Sequence, residues 1–180
     1  MENRTRLYFA GIKHSGKTTF ASRIAKRLGL QFRDSDDLLM DWLSISDIRT
    51  YYKSEGKEAF MQNEYMALAS YIASADDFVI SLGGGASDNT RLISLMKDTG
   101  QIVYLRRNED EMLPVILSHG IPAFLDESDI RGSFHRIFTE RDAIYSGIAD
   151  LIIDAGPYRD KDDTEQFILS RLLEAGYGCK

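Results

Sequence analysis

Residues 11–18 read GIKHSGKT and match G-x-x-x-x-G-K-[ST] at every fixed position. An apolar run from Leu7 to Ala10 enters the motif. A segment of helical period leaves it, with Phe20, Ile24 and Leu28 on one stripe and Gly29 as the stop. Strand, glycine loop and helix in that order turn backbone N–H groups inward and add the positive potential of a helix start, which together hold a phosphate. Lys17 can reach β- and γ-phosphates, and the Thr18 hydroxyl can hold Mg²⁺. Gly11, Ser15, Gly16 and Thr19 complete the loop expected to meet a nucleotide. A glycine turn that merely caps a helix is the competing explanation, and the strand and helix on either side weigh against it. His14 belongs to the loop by position, although a solvent-facing side chain is its favoured reading. His119 and His135 have no companion at ligand spacing and read as loop and helix-surface residues.

A parallel sheet must surround such a unit, and the chain has the length for it. At 180 residues it is about one domain long, and a chain of that size buries roughly 70% of its unfolded surface. Hydrophobic residues at 43% and charged residues at 28%, with three prolines, exclude disordered and fibrous classes. The apolar runs fall far short of the ~20 residues that cross a bilayer, and the first residues lack a secretory signal's apolar stretch. The single cysteine, Cys179, permits no intrachain disulfide. A reduced, cytoplasmic protein is expected, a monomer ahead of an obligate oligomer. The net charge of −6 argues against general nucleic-acid binding, yet residues 1–30 hold seven Lys and Arg against one acid, which suggests a local anion site.

Short β-branched or aromatic runs alternate with helical periods, the pattern of an α/β sheet wrapped by helices. Strands are expected at 6–10, 31–34, 78–82, 101–105 and 151–154. Helices are expected over about 16–28, from Lys57 with Met61, Tyr65, Leu68 and Ile72 on one face, after Ser133 as N-cap, and over about 164–175. Residues 109–131, with Pro114, Gly120 and Pro122, read as a short helix and a mobile excursion.

The second strand ends in Asp34-Ser35-Asp36-Asp37. Ligand crevices of open α/β sheets lie at the carboxyl ends of strands, so these acids should stand beside the phosphate loop. In extended chain, Asp34 and Asp36 would share a side. One could order a Mg²⁺-bound water while the other accepts a proton from a substrate hydroxyl, or the run could simply cap the next helix. The third strand runs into Gly83-Gly84-Gly85, which permits close approach of backbone to a ligand or a tight turn.

Taken together, GIKHSGKT, then Asp34-x-Asp36, then Phe60 with Glu64 four residues on, then Gly83-Gly84-Gly85, resemble the shikimate kinase family along nearly the whole chain. The resemblance implies a three-layer P-loop kinase fold: a five-stranded parallel sheet flanked by helices, one domain over 1–180. It further implies a mobile lid near 109–131 and a substrate-binding helical segment near 36–75. It implies ATP and Mg²⁺ as cofactors and transfer of the γ-phosphoryl group to the 3-hydroxyl of shikimate, a small-molecule step of aromatic amino acid biosynthesis. Lys17, Asp34 and Asp36 then look catalytic, with Thr18 and, through water, Asp34 at the metal. Asp36, Gly83, Gly84, Gly85 and Arg141 look like the acceptor's contacts, with Met61 standing at the position of another.

Two positions depart from the family's pattern. An arginine that binds carboxylate normally follows the Phe, and here Met61 does, although Glu64, which would steady that arginine, is present. Met offers no charge-assisted hydrogen bond. The family's lid carries arginines, whereas residues 108–130 contain no Lys or Arg and six acids, Glu109, Asp110, Glu111, Asp126, Glu127 and Asp129. Arg106, Arg107 and Arg131 are candidate substitutes. Two alternatives stay open beside the leading reading: a kinase of the same fold with a different small-molecule acceptor, and a nucleotide-binding module with little activity.

Overall fold

The computed structural model describes residues 4–122, 125–157 and 160–178, so Cys179 lies outside the described residues. Five strands, β1 (Arg6–Ala10), β2 (Gln31–Asp34), β3 (Phe78–Ser81), β4 (Gln101–Arg106) and β5 (Leu151–Asp154), form one sheet in the order β2-β3-β1-β4-β5. Every pairing is parallel, which requires the helical crossovers that the sequence alternation predicts. Among the described residues six helices supply them, α1 (Lys17–Leu28), α2 (Ser35–Leu43), α3 (Ile48–Ser74), α4 (Thr90–Thr99), α5 (Glu109–Ser118) and α6 (Ile130–Ile148), and α7 (Lys161–Glu174) follows β5.

The central strand β1 is buried along its whole length because both faces are covered. Its side chains alternate between two cores. Tyr8 and Ala10 join Ile80, Ile102 and Tyr104 under Leu68 and Ile72 of α3, Met96 of α4 and Phe134 of α6. Leu7 and Phe9 join Val79, Val103 and Leu105 under Phe20 and Ile24 of α1 and Ile168 and Leu172 of α7. Among the described residues no helix is long and apolar enough to cross a membrane.

The expected strands are all present, with ends shifted by at most one residue. Three helical expectations need correction. Ser133 does not cap α6: Asp129 does, accepting from Gly132 N at 3.0 Å, and Ser133 lies inside with its hydroxyl on Ile130 O. Asp36 is not extended chain but the second residue of α2, whose N-cap is Asp34. The helix expected from Lys57 is the second half of α3, which begins at Ile48 and breaks at Gly56, where φ is 81° and ψ 178°. That conformation is essentially restricted to glycine, so the break is written into the sequence at one position.

Candidate active site

Because all five strands run the same way, their carboxyl ends meet at one edge, and the expected site residues gather there. Thr18 sits in the first turn of α1. Its Oγ1 donates to Asp34 Oδ2 at 3.2 Å and lies 2.8 Å from Ser81 Oγ, which donates in turn. Asp34 and Ser81 are register partners at the ends of β2 and β3, so sheet pairing itself aims both at Thr18. The other Asp34 oxygen accepts from Asp36 N at 3.0 Å and starts α2. Asp34 therefore caps α2 with one oxygen and meets the Thr18 hydroxyl with the other.

That cap turns Asp36 toward the glycines. A Cβ built on Gly83 would lie 2.7 Å from Asp36 Oδ1, so only glycine lets the carboxylate rest there. Gly83 N is anchored by donating to Ser35 Oγ at 2.7 Å. Burial raises the Asp36 pKa and the neighbouring Asp34 charge adds to it, while Lys17 pulls it back. Asp36 is thus held as a partly desolvated carboxylate with a raised proton affinity.

Lys17 is 8% exposed and makes no hydrogen bond to a described residue. Burial pushes its pKa down to about 8, opposed by Asp34 and Asp36 and reinforced by Arg141. The Ser15 hydroxyl is likewise buried with no hydrogen-bond partner among the described residues. An unpartnered buried ammonium and hydroxyl in a glycine loop are the groups that an anion satisfies. Arg107 stiffens the loop, with Nε donating to Ser15 O at 2.9 Å and Nη1 to Gly156 O at 3.0 Å. Arg106 is committed to Asp154 through two bonds of 2.6 Å. Arg131 is largely exposed and 3.9 Å from Asp110.

A cavity of about 1090 Å³ opens from Asp36 and Gly83, Gly84 and Gly85. Phe60 and Glu64 line it from α3, and Ile116, His119, Ile121 and Pro122 close it from α5 and the segment after it. His14 is not the solvent-facing side chain expected: its ring stacks on His119 with centroids 4.9 Å apart. His14 adopts φ 67°, and its pKa is lowered by burial first and then by His119, Lys13 and Lys17. His119 is thus more than an ordinary loop residue, whereas His135 is on a helix surface as read, paired with Glu109.

Met61 is half-buried, and the acid meant for an arginine there has another partner. Asn89 Nδ2 donates to Glu64 Oε2 and to Met61 O, each at 2.9 Å. Burial pushes Glu64 up to about 7, partly offset by Asn89. Its folded pKa therefore exceeds the unfolded value of 4.5, and the native state is favoured when Glu64 is protonated. Stability from this group is full at low pH and lost as pH rises from 4.5 through about 7, a loss of order ~3 kcal/mol at 1.36 kcal/mol per unit. Urea unfolding at pH 5 and pH 8 should show that decline in the parent and a flatter profile in Glu64→Gln. Equal slopes would assign the pH dependence elsewhere.

Arg141 is half-buried on α6, near enough to Lys17 and Tyr145 to shift both, and it has no ion pair with a described residue. It is therefore not an acid-paired arginine of the helix surface. Sequence reasoning missed Ser35, Ser81 and Asn89, whose roles depend on contacts distant in sequence. It also missed Arg49 and Lys53, which line the cavity and whose i, i+4 spacing was a usable signal.

Comparison with known proteins agrees with this geometry. The shikimate kinase from Francisella tularensis subsp. novicida is 29% identical over 148 residues, 82% of this chain and 84% of that one. The shikimate kinase from Francisella philomiragia is 28% identical over the same length. Among solved structures, the shikimate kinase from Acinetobacter baumannii in complex with shikimate superposes with a TM-score of 0.81 at 24% identity, covering 96% of this chain and 95% of that one. The Aquifex aeolicus shikimate kinase gives 0.74 at 25% identity, covering 97% and 99%. The shikimate kinase family model matches residues 13–171, which take in the phosphate loop from Lys13 on, the Asp36 carboxylate, the glycines and Arg141. The chain belongs to the shikimate kinase family of ATP-dependent phosphotransferases.

Proposed function

We propose that this chain transfers the γ-phosphoryl group of ATP to the 3-hydroxyl of shikimate, with residues 11–19 holding the nucleotide phosphates. The observation that carries the reading is the convergence of Lys17 of α1, Asp34 of β2 and Asp36 of α2 at the carboxyl edge of the sheet, next to a glycine wall that leaves Asp36 open to a ligand. Asp36 accepts a hydrogen bond from the acceptor hydroxyl and orients its oxygen for attack; its raised proton affinity suits it to take the proton. Lys17 offsets charge on the phosphoryl oxygens, and Gly83, Gly84 and Gly85 let the acceptor approach the backbone. Arg141 supplies a cation toward the acceptor's carboxylate. Residues 109–131 act as a lid that excludes water, and residues 36–75 form the acceptor-binding segment.

The oxygen donors fit Mg²⁺. Thr18 Oγ1 and Asp34 already adjoin, and no cluster of three or more ligand side chains gathers among the described residues. Mg²⁺ prefers such a sparse protein shell completed by water and phosphate. Thr18 would bind it directly and Asp34 through water; the ion would neutralise charge on the β- and γ-phosphates.

Incubation with MgATP and shikimate should release ADP and yield one phosphorylated acid. ADP release that does not depend on shikimate would remove shikimate as acceptor. Met61→Arg places a guanidinium at i−3 from Glu64, and the new charge should draw that acid back into its ionised form. One charge-assisted bond contributes about 1.5–3 kcal/mol, so shikimate should bind at least roughly tenfold tighter by calorimetry with MgADP present. Unchanged affinity would mean that Asn89 keeps Glu64 unavailable.

A further inference from the structure

We propose that Arg49 and Lys53 bind the anionic group of the acceptor, the role that Met61 leaves vacant; the proposal rests on the shikimate reading above. Both residues stand on the first half of α3, one turn apart on a common face. Both line the cavity that also contains Asp36, Glu64 and the three glycines. Gly56 separates this half-helix from the half that carries Phe60 and Glu64, so the two halves wall the same cavity from different directions.

Neither charge is claimed by an acid among the described residues. The protein is acidic, with 28 Asp and Glu against 22 Lys and Arg, and its exposed cations are commonly paired. Lys57, four residues beyond Lys53, reaches Asp88 at 3.0 Å, Arg33 pairs with Asp41, and Arg106 with Asp154. The Arg49 guanidinium and the Lys53 ammonium form no ion pair or hydrogen bond with a described side chain. The nearby Asp47 carboxylate is already occupied by Arg49 N and the Thr50 hydroxyl. Like charges at i, i+4 repel, so a helix that keeps them beside a cavity gains when an anion joins them.

The wall between the cations and the reacting end is aromatic. Tyr52, on the same half-helix, meets Phe60 edge to face with ring centroids 5.4 Å apart. An acceptor of the matching class carries a hydroxyl for Asp36, a carbocycle for Tyr52 and Phe60, and a carboxylate for Arg49 and Lys53. Arginine offers a planar fork and lysine a mobile point charge, a combination that takes a carboxylate without demanding one fixed angle.

Calorimetry with MgADP present tests this on the intact chain, using shikimate and its uncharged methyl ester. Arg49→Gln and Lys53→Gln keep helix propensity at exposed positions, and unchanged MgADP binding confirms that each variant is folded. Each should weaken shikimate roughly tenfold and leave the ester's affinity as in the parent. KM for shikimate should rise while kcat holds. Lys53→Arg should retain affinity, and adding Met61→Arg to the double variant should restore part of the loss. Parent-like shikimate affinity in both glutamine variants would overturn the clamp and leave shikimate as the acceptor. No shikimate binding by the parent, with MgADP still bound, would overturn the shikimate reading and the clamp with it.

Discussion

Replacing Asp36 with asparagine should lower kcat/KM for the acceptor by two to four orders of magnitude, the usual size of a lost general base. The change is isosteric, so Gly83 still has room beside it and α2 still starts from the Asp34 cap, which uses the Asp36 backbone N–H and not its side chain. The amide cannot take a proton, and it no longer opposes the Lys17 charge from within the cavity. MgADP affinity should stay within a few-fold of the parent, because Lys17, Thr18 and the loop backbone remain. Steady-state kinetics beside MgADP calorimetry separate these quantities. Parallel losses in both would place Asp36 in the nucleotide site instead.

Lys17→Ala should have the complementary effect. A buried ammonium without a hydrogen-bond partner is costly in the unliganded chain, so its removal should leave apo stability unchanged or raised. The nucleotide, however, loses the cation that its phosphates would satisfy. At MgADP a hundredfold above Kd, binding stabilises a native state by about 2.7 kcal/mol. A hundredfold weaker site would show only ~0.4 kcal/mol at the same concentration, so most of the melting shift should vanish. Thermal unfolding of both proteins with and without MgADP checks this. A full shift in Lys17→Ala would mean that the loop backbone alone binds the phosphates.

Much of this site was legible because its signals are local. GIKHSGKT, the strand that ends in Asp34 and the glycines after β3 each reveal their conformation within a few residues, and a parallel sheet brings strand ends together without further information. Where local signals conflicted, the reading slipped. Asp34, Ser35 and Asp36 extend a strand pattern and also favour a helix cap, and the cap prevailed because it satisfies the first N–H groups of α2. The first half of α3 was read only through the family resemblance, because its apolar stripe of Ile48, Tyr51 and Tyr52 is short and ends at Gly56. The stacking of His14 on His119 joins positions with no shared pattern and could come only from the tertiary structure.

The position of β1 in the sheet has a consequence for how the protein is made. This strand leaves the ribosome before both of its neighbours, since Arg6 pairs with Phe78 and Leu7 with Gln101. Until those partners emerge, a nascent chain carries the phosphate loop on a strand with two open, apolar edges. Loop-closure entropy must be paid before such distant pairings form, so the loop is translated well before its walls are in place. Nucleotide capture therefore awaits the emergence of β3 and β4, and the intervening interval is when exposed β1 edges are most open to pairing with another copy.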